Sequence, residues 1–293
     1  MLTERDLETV VSVYHYRYLA TSQIQRLHFP TSCQMAYRRL RVLAGAGYVE
    51  GFTTPGIDER VFHLGPQGAE VVAGQLHLAP EALAWTKPTR TPKDYYFLRH
   101  FLQLNDFRIV LTQACAASTA LQLQGFIPEY VGVQTAGKGV HKYLRDVVGD
   151  GQDLSQKLSH TPDGVFALQK EGQLALFFVE VDRGTEALSQ EDKGFLKAVR
   201  FYLNYLVDPQ HPYQRYRQDF GGAGFKGFRV LFVTPSEARL ENMRQAVSAL
   251  PFHHPQAKRF IWLTTLDQLT PAGVFGEIWR AAEGTDPRYY RIG

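Results

Sequence analysis

The chain has 293 residues, 44% of them hydrophobic and 21% charged, with a net charge of +3. That length suits roughly two domains of about 150 residues each, and the balance is that of a protein with a real core. No apolar run approaches the ~20 residues needed to cross a bilayer, MLTERDLE does not read as a signal peptide, and +3 is too weak a charge to establish a nucleic-acid partner without local patterning. The two cysteines, Cys33 and Cys115, form no CxxC and no metal-ligand spacing. They fit a reducing cytoplasm, which is the expected location.

Thr3 is placed to cap a helix whose apolar positions are Leu7, Val10, Val11, Tyr14 and Tyr18. Thr21 opens a shorter helix carrying Ile24 and Leu27. After Pro30 a third helix starts near Thr31 or Ser32 and ends at Gly45-Ala46-Gly47. On it Ala36, Leu40 and Leu43 share one face, while Gln34, Arg38 and Arg41 share the opposite one. Two strand-like runs follow, 48–52 and 60–64, split by the turn-rich TTPGIDE, and a further helix comes after Pro66. Three helices and then a hairpin is the order of a winged helix-turn-helix, and AYRRLRVLAGAGYVEGF…RVFHLGPQGAEVV resembles that family from recognition helix to wing. The resemblance implies that the third helix lies in a major groove, so that Gln34, Arg38 and Arg41 meet bases or phosphates. Arg60 on the wing would reach the neighbouring backbone. A solvated Gln/Arg face, or a winged helix used for protein docking, are the other readings of the same residues.

The expected domains are a winged helix over 1–76, a linker over 77–93 marked by Pro80, Pro88 and Pro92, and an α/β domain over 94–293. The second domain should open with one long helix, 94–117, carrying Phe97, Phe101, Leu104, Phe107 and Leu111 on one face. Strands are expected at 124–133, 164–168 and 174–181, the last two joined by a turn at Lys170-Glu171-Gly172. An amphipathic helix over 189–206 has Phe195, Leu196, Val199, Tyr202, Leu203 and Leu206 on its apolar face, with Lys193, Lys197, Arg200 and Asn204 opposite. A strand at 229–234, a helix at 237–250 and a strand at 259–264 complete a mixed sheet with covering helices.

The run FFVEVDRGTE, residues 177–186, places Glu180 and Asp182 two apart on a strand, hence on one face. Such carboxylates repel each other and need a cation or a basic partner. With Pro162-Asp163 at the head of the preceding strand, the layout resembles the PD-(D/E)xK nuclease superfamily. That resemblance implies Asp163, Glu180 and Asp182 as ligands of Mg²⁺ or Mn²⁺, with Glu129 as a fourth candidate. It departs from the pattern at Asp182, where the superfamily has Lys. Lys193 or Lys197 on the following helix are the candidates to replace it, and Lys197 is taken as the catalytic one.

Together with LRHFLQLNDFRIVL, TPDGVFAL, FFVEVDRGTE and KGFLKAVRFYLNYL, the N-terminal segment resembles the replication-relaxation family from about residue 3 to about residue 265. These are bacterial proteins linked to plasmid replication and relaxation of plasmid DNA. The fold class expected is thus α+β or α/β: a winged helix-turn-helix followed by a mixed-sheet, restriction-endonuclease-like domain. The implied function is that of a DNA-binding protein in plasmid or mobile-element replication or DNA relaxation, with a nuclease-like second domain lacking the motif lysine. A metal-dependent endonuclease targeted by its winged helix, and a transcriptional regulator, are the alternatives. The expected partner is double-stranded DNA, contacted by Gln34, Arg38, Arg41, Arg60, Lys193 and Arg200. No membrane is expected, and a homodimer is left open. The stretch 208–227, where Tyr213, Tyr216 and Phe220 alternate with Arg215, Arg217 and Lys226, suits base stacking or a surface loop.

Overall fold

A computed structural model describes residues 2–79, 82, 83, 85, 95–135, 139–151, 153, 155–184, 188, 194–222, 224–251, 255–283 and 287–292. The chain divides into two compact units, Met1–Ile109 and Val110–Gly293.

In the first unit, helix α1 (Glu4–Tyr16) starts at a capping box in which Thr3 Oγ1 accepts from the Asp6 amide and Asp6 accepts from the Thr3 amide. Strand β1 (Leu19–Ala20), α2 (Thr21–His28) and α3 (Cys33–Gly45) follow, and then the hairpin of β2 (Val49–Thr54) and β3 (Ile57–Leu64) and helix α4 (Pro66–Gln75). The sheet order is β1-β3-β2, antiparallel throughout. Val10, Val13, Ile24, Ala36, Leu40, Leu43, Val49 and Phe62 form one buried core. Ser32 caps α3, its Oγ accepting from the Met35 amide, and Gly47 leaves the helix at φ +75, a left-handed conformation that glycine adopts without strain.

Helix α5 (Tyr95–Ala117) contributes its N-terminal part, up to Ile109, to this unit. Asn105 Nδ2 donates to the carbonyls of Tyr16 and Tyr18 at 3.1 and 2.6 Å, and the Gln23 side chain donates to Leu102 O at 2.7 Å and to Asp106 Oδ1 at 2.9 Å. These bonds account for the position of the division, which lies inside α5 rather than in the expected 77–93 linker. Most of that linker lies outside the described residues.

The second unit is built on a seven-stranded sheet in the order β14-β13-β12-β11-β10-β9-β4. Its strands are β4 (Gln122–Pro128), β9 (Gly164–Lys170), β10 (Gln173–Val181), β11 (Phe228–Thr234), β12 (Ile261–Thr265), β13 (Trp279–Ala281) and β14 (Tyr289–Tyr290). The β10–β11 and β11–β12 pairs are parallel and the others antiparallel. The β9–β10 turn falls on Glu171 and Gly172, both at positive φ as a tight hairpin requires. Helices α6 (Gly194–Val207) and α7 (Glu237–Ala249) bury their apolar sides with Phe178, Val230, Phe232 and Leu263 in the unit's core. Two small ribbons, β5–β6 (Gly132–Thr135, Gly139–Lys142) and β7–β8 (Asp146–Gly149, Lys157–His160), were not legible in the sequence. The expected strand 124–133 is split between β4 and β5 by the turn at Glu129 and Tyr130. No helix among the described residues is long and apolar enough to cross a membrane.

The two faces of α3 should separate in a stability measurement. Leu40, 1% exposed, loses about 2–5 kcal/mol on replacement by Ala, whereas Arg38→Ala on the exposed face should change stability by no more than about 0.5 kcal/mol. Urea unfolding of both variants checks this.

Candidate functional site

On α3 the packed positions are Ala36, Leu40 and Leu43, all buried, and Gln34, Arg38 and Arg41 are exposed on the other side. The sequence placed these residues correctly because the helical period leaves no other way to bury the apolar three. Arg39, between them, turns inward: Nε and Nη2 donate to Asp6 Oδ1 and Oδ2 at 2.9 and 2.5 Å. Arg60 is exposed at the hairpin, where its Nη2 donates to Gly51 O at 2.8 Å and its guanidinium lies over the Phe62 ring. A Cβ at Gly51 would come within 2.5 Å of Arg60 Nε, so glycine there leaves the room this side chain uses. The hairpin is tied to α2: Glu59 accepts from the amide and hydroxyl of Ser22 at 2.7 and 2.9 Å, and Thr21 Oγ1 donates to Arg60 O. The outcome is an open cationic face on α3, with one further arginine on a hairpin anchored to the preceding helix.

In the second unit the acids of β10 part company. Glu180 is 8% exposed, and its Oε1 accepts from Tyr202 Oη on α6 at 2.5 Å and meets His160 Nε2 at 2.6 Å. Asp163 lies beside this group: its Oδ2 accepts from the Val181 amide at 2.7 Å, and its charge acts on Glu180 and His160. Asp182, just past the end of β10, is gripped by Arg239 of α7, with Nε to Oδ2 at 2.8 Å and Nη2 to Oδ1 at 3.0 Å, and receives Thr234 Oγ1 at 3.2 Å. Of the three carboxylates expected to share Mg²⁺ or Mn²⁺, Asp163 and Glu180 act on each other beside His160, whereas Asp182 is taken up by Arg239. Glu180 and Asp182 are like charges on one strand face, for which either a shared cation or basic partners were expected. The fold instead gives each acid its own partners, a His and a Tyr for one and a bidentate Arg for the other. Glu129 pairs with Lys142 at 2.9 Å. Among the described residues no group of three or more His, Cys, Asp or Glu side chains is arranged to hold a metal ion. With Asp182 already held by Arg239, the donors as they stand do not fit a three-carboxylate centre.

The polar face of α6 also divides. Lys197 is exposed, and its charge is felt at His160. Arg200, expected to face DNA, instead donates from Nη2 to Asp150 Oδ2 at 2.5 Å, because Asp150 is 1% exposed and a carboxylate so placed needs a cation. Asn204 is buried as well, its amide donating to Arg200 O and accepting from the Gly151 amide. Lys193 lies outside the described residues. Within 208–227, Tyr213, Tyr216 and Phe220 are buried and cannot stack on bases, and Arg215 is held by Asp146 and by Tyr143 O.

His160, Tyr202 and Arg239 were missed in the sequence. Tyr202 looked like one more apolar residue on a packing face, and Arg239 stands far along the chain from the acid it binds. The available signal was the buried carboxylate itself, which demands hydrogen-bond donors on the helix that covers it.

Burial raises the Glu180 carboxyl above its ordinary range even though His160 opposes the shift. For His160, burial works against the imidazolium, but the Glu180 charge and hydrogen bond outweigh it and the net shift is upward. Burial and the Glu180 charge push the Tyr202 phenol up, so it stays a donor. Both members of the Glu180–His160 pair thus hold protons more tightly folded than unfolded, and stability falls as pH rises. The contribution of His160 is full below its ordinary value of 6.5 and is lost as pH rises through the raised one. The melting temperature should therefore decline above that value, and His160→Gln should flatten the decline. A wild-type melting temperature independent of pH there contradicts this electrostatic account.

Fold and site define a two-unit protein of mixed α and β structure, with an exposed cationic helix face in one unit and, in the other, acids at a sheet end that are each paired with their own partners. The chain belongs to the replication-relaxation family, whose model matches residues 11–219. The match runs from α1 through the 3-10 helix Pro212–Gln218 and stops short of β11, so Arg239 lies beyond it. No curated protein and no solved structure was found to match the chain.

Proposed function

We propose that the protein binds double-stranded DNA with its first unit acting as a winged helix, in the service of replication or relaxation of a plasmid or mobile element. The observation that carries this reading is the solvent-facing Gln34/Arg38/Arg41 stripe on α3, opposite a fully packed face and beside a hairpin that presents Arg60. Arginine and glutamine are the side chains best suited to bidentate contact with guanine and adenine edges. Membership of the replication-relaxation family supports the process. Electrophoretic mobility shifts over a salt series test the contact. Arg38→Ala or Arg41→Ala should cost about 1–3 kcal/mol of binding if the residue reads a base, or lower the salt slope by about one if it meets a phosphate. Unchanged affinity and slope in both variants would remove the assignment.

The second unit, in this reading, is a nuclease-like scaffold without catalysis. In place of a motif lysine it has Asp182, and that acid is neutralised by Arg239. A metal-dependent endonuclease is the second reading. It is favoured by one observation: the Asp163 charge acts on Glu180, and the Lys197 charge acts on their neighbour His160. Supercoiled plasmid titrated with Mg²⁺ or Mn²⁺ distinguishes the two. The scaffold reading expects equal background nicking from wild type and Asp163→Ala. Metal-dependent cleavage by wild type that Asp163→Ala abolishes would establish the endonuclease.

A further inference from the structure

The cationic stripe of α3 does not stand alone on the helix's open face. Met35, Tyr37 and Val42 are large, apolar and exposed, by 37%, 60% and 50%. Helical spacing sets Tyr37 beside Arg41 and Val42 beside Arg38, each four residues apart, with Met35 one turn before Arg38. The last contact is direct, Arg38 Nη2 lying 3.6 Å from Met35 Sδ. The exposed face is therefore a Gln/Arg strip flanked on both sides by apolar side chains. Single exposed apolar residues are ordinary on a protein surface. Three bordering one cationic strip on one helix make a composite surface that a simple phosphate-binding helix does not need.

The major groove offers a matching composite. Its base edges present hydrogen-bonding groups throughout and one kind of apolar group, the C5-methyl of thymine. Glutamine pairs bidentately with the N6 and N7 of adenine, whose partner base carries that methyl. Building on the DNA-binding reading above, we propose that α3 reads A·T base pairs in the major groove, with Gln34 on an adenine edge and Val42 and Tyr37 against thymine methyl groups. Charge argues for DNA over a second copy of the chain as the occupant. Helix α3 contains no Asp or Glu. A two-fold contact between two such faces would set Arg38 and Arg41 against their own counterparts.

The test uses the full chain and a randomised duplex pool, from which bound sequences are selected and resynthesised with deoxyuridine in place of thymidine. The inference expects A·T pairs at the centre of the selected sequence and a loss of about four-fold in affinity for each contacted methyl removed, the transfer value of one methylene-sized group. Val42→Ala should abolish part of that thymine dependence. Its site is exposed, so the fold is retained, and a thermal melt confirms it. Equal affinity for thymine and uracil duplexes, with Arg38 and Arg41 still required, overturns methyl readout and leaves DNA binding standing. No binding to any duplex overturns the DNA-binding reading as well. Unchanged DNA affinity, with self-association lost in Tyr37→Ala and Val42→Ala by sedimentation, overturns the inference in favour of a protein interface.

Discussion

The Asp6 carboxylate fixes the orientation of α3 on which the functional reading depends. Its side chain is 1% exposed, too deep to remain charged without partners. It caps α1 through Thr3 and takes both ends of the Arg39 fork from α3. A bidentate pair is directional, so it sets the rotation of α3 about its own axis as well as its distance from α1. With Arg39 turned inward, Leu40 and Leu43 seat in the core and Arg38 and Arg41 are left to solvent. Three arginines within four positions thus have two different fates, decided by one buried acid.

The second unit treats its own acids in the same way. Glu180 and Asp182 face the end of a strand that is otherwise apolar, and each is answered by a different helix, α6 with Tyr202 and α7 with Arg239. Asp150 and Asp146 repeat the pattern with Arg200 and Arg215. Cations that would otherwise add to the exposed basic surface are drawn into the fold by carboxylates, which leaves Lys197 as the exposed cation of the described part of α6.

Much of this was legible in the sequence where the signal was local. The cap at Thr3, the start of α3 at Thr31 or Ser32, the buried triad of α3, the Glu171-Gly172 turn and the strands β9, β10 and β11 follow from periodicity and turn chemistry acting over a few residues. The pairing of acids with cations was not legible. Asp182 and Arg239 are distant in sequence, and nothing in a one-dimensional pattern says which arginine a carboxylate will meet. Arg200 shows the same limit: its helical position reads as polar and free, yet a ribbon loop that the sequence did not reveal brings Asp150 against it. The ribbons β5–β6 and β7–β8 escaped because strands of four residues carry too little alternation to be told from loops.

Hydroxyl-radical footprinting of the full chain, with and without saturating duplex DNA, tests the central claim most directly, since Met35 and Tyr37 are readily oxidised side chains exposed on the face assigned to DNA. The account predicts that DNA protects both of them while Tyr289, half exposed on the second unit, is oxidised at an unchanged rate. Met35 and Tyr37 left equally reactive when the DNA is bound would contradict it.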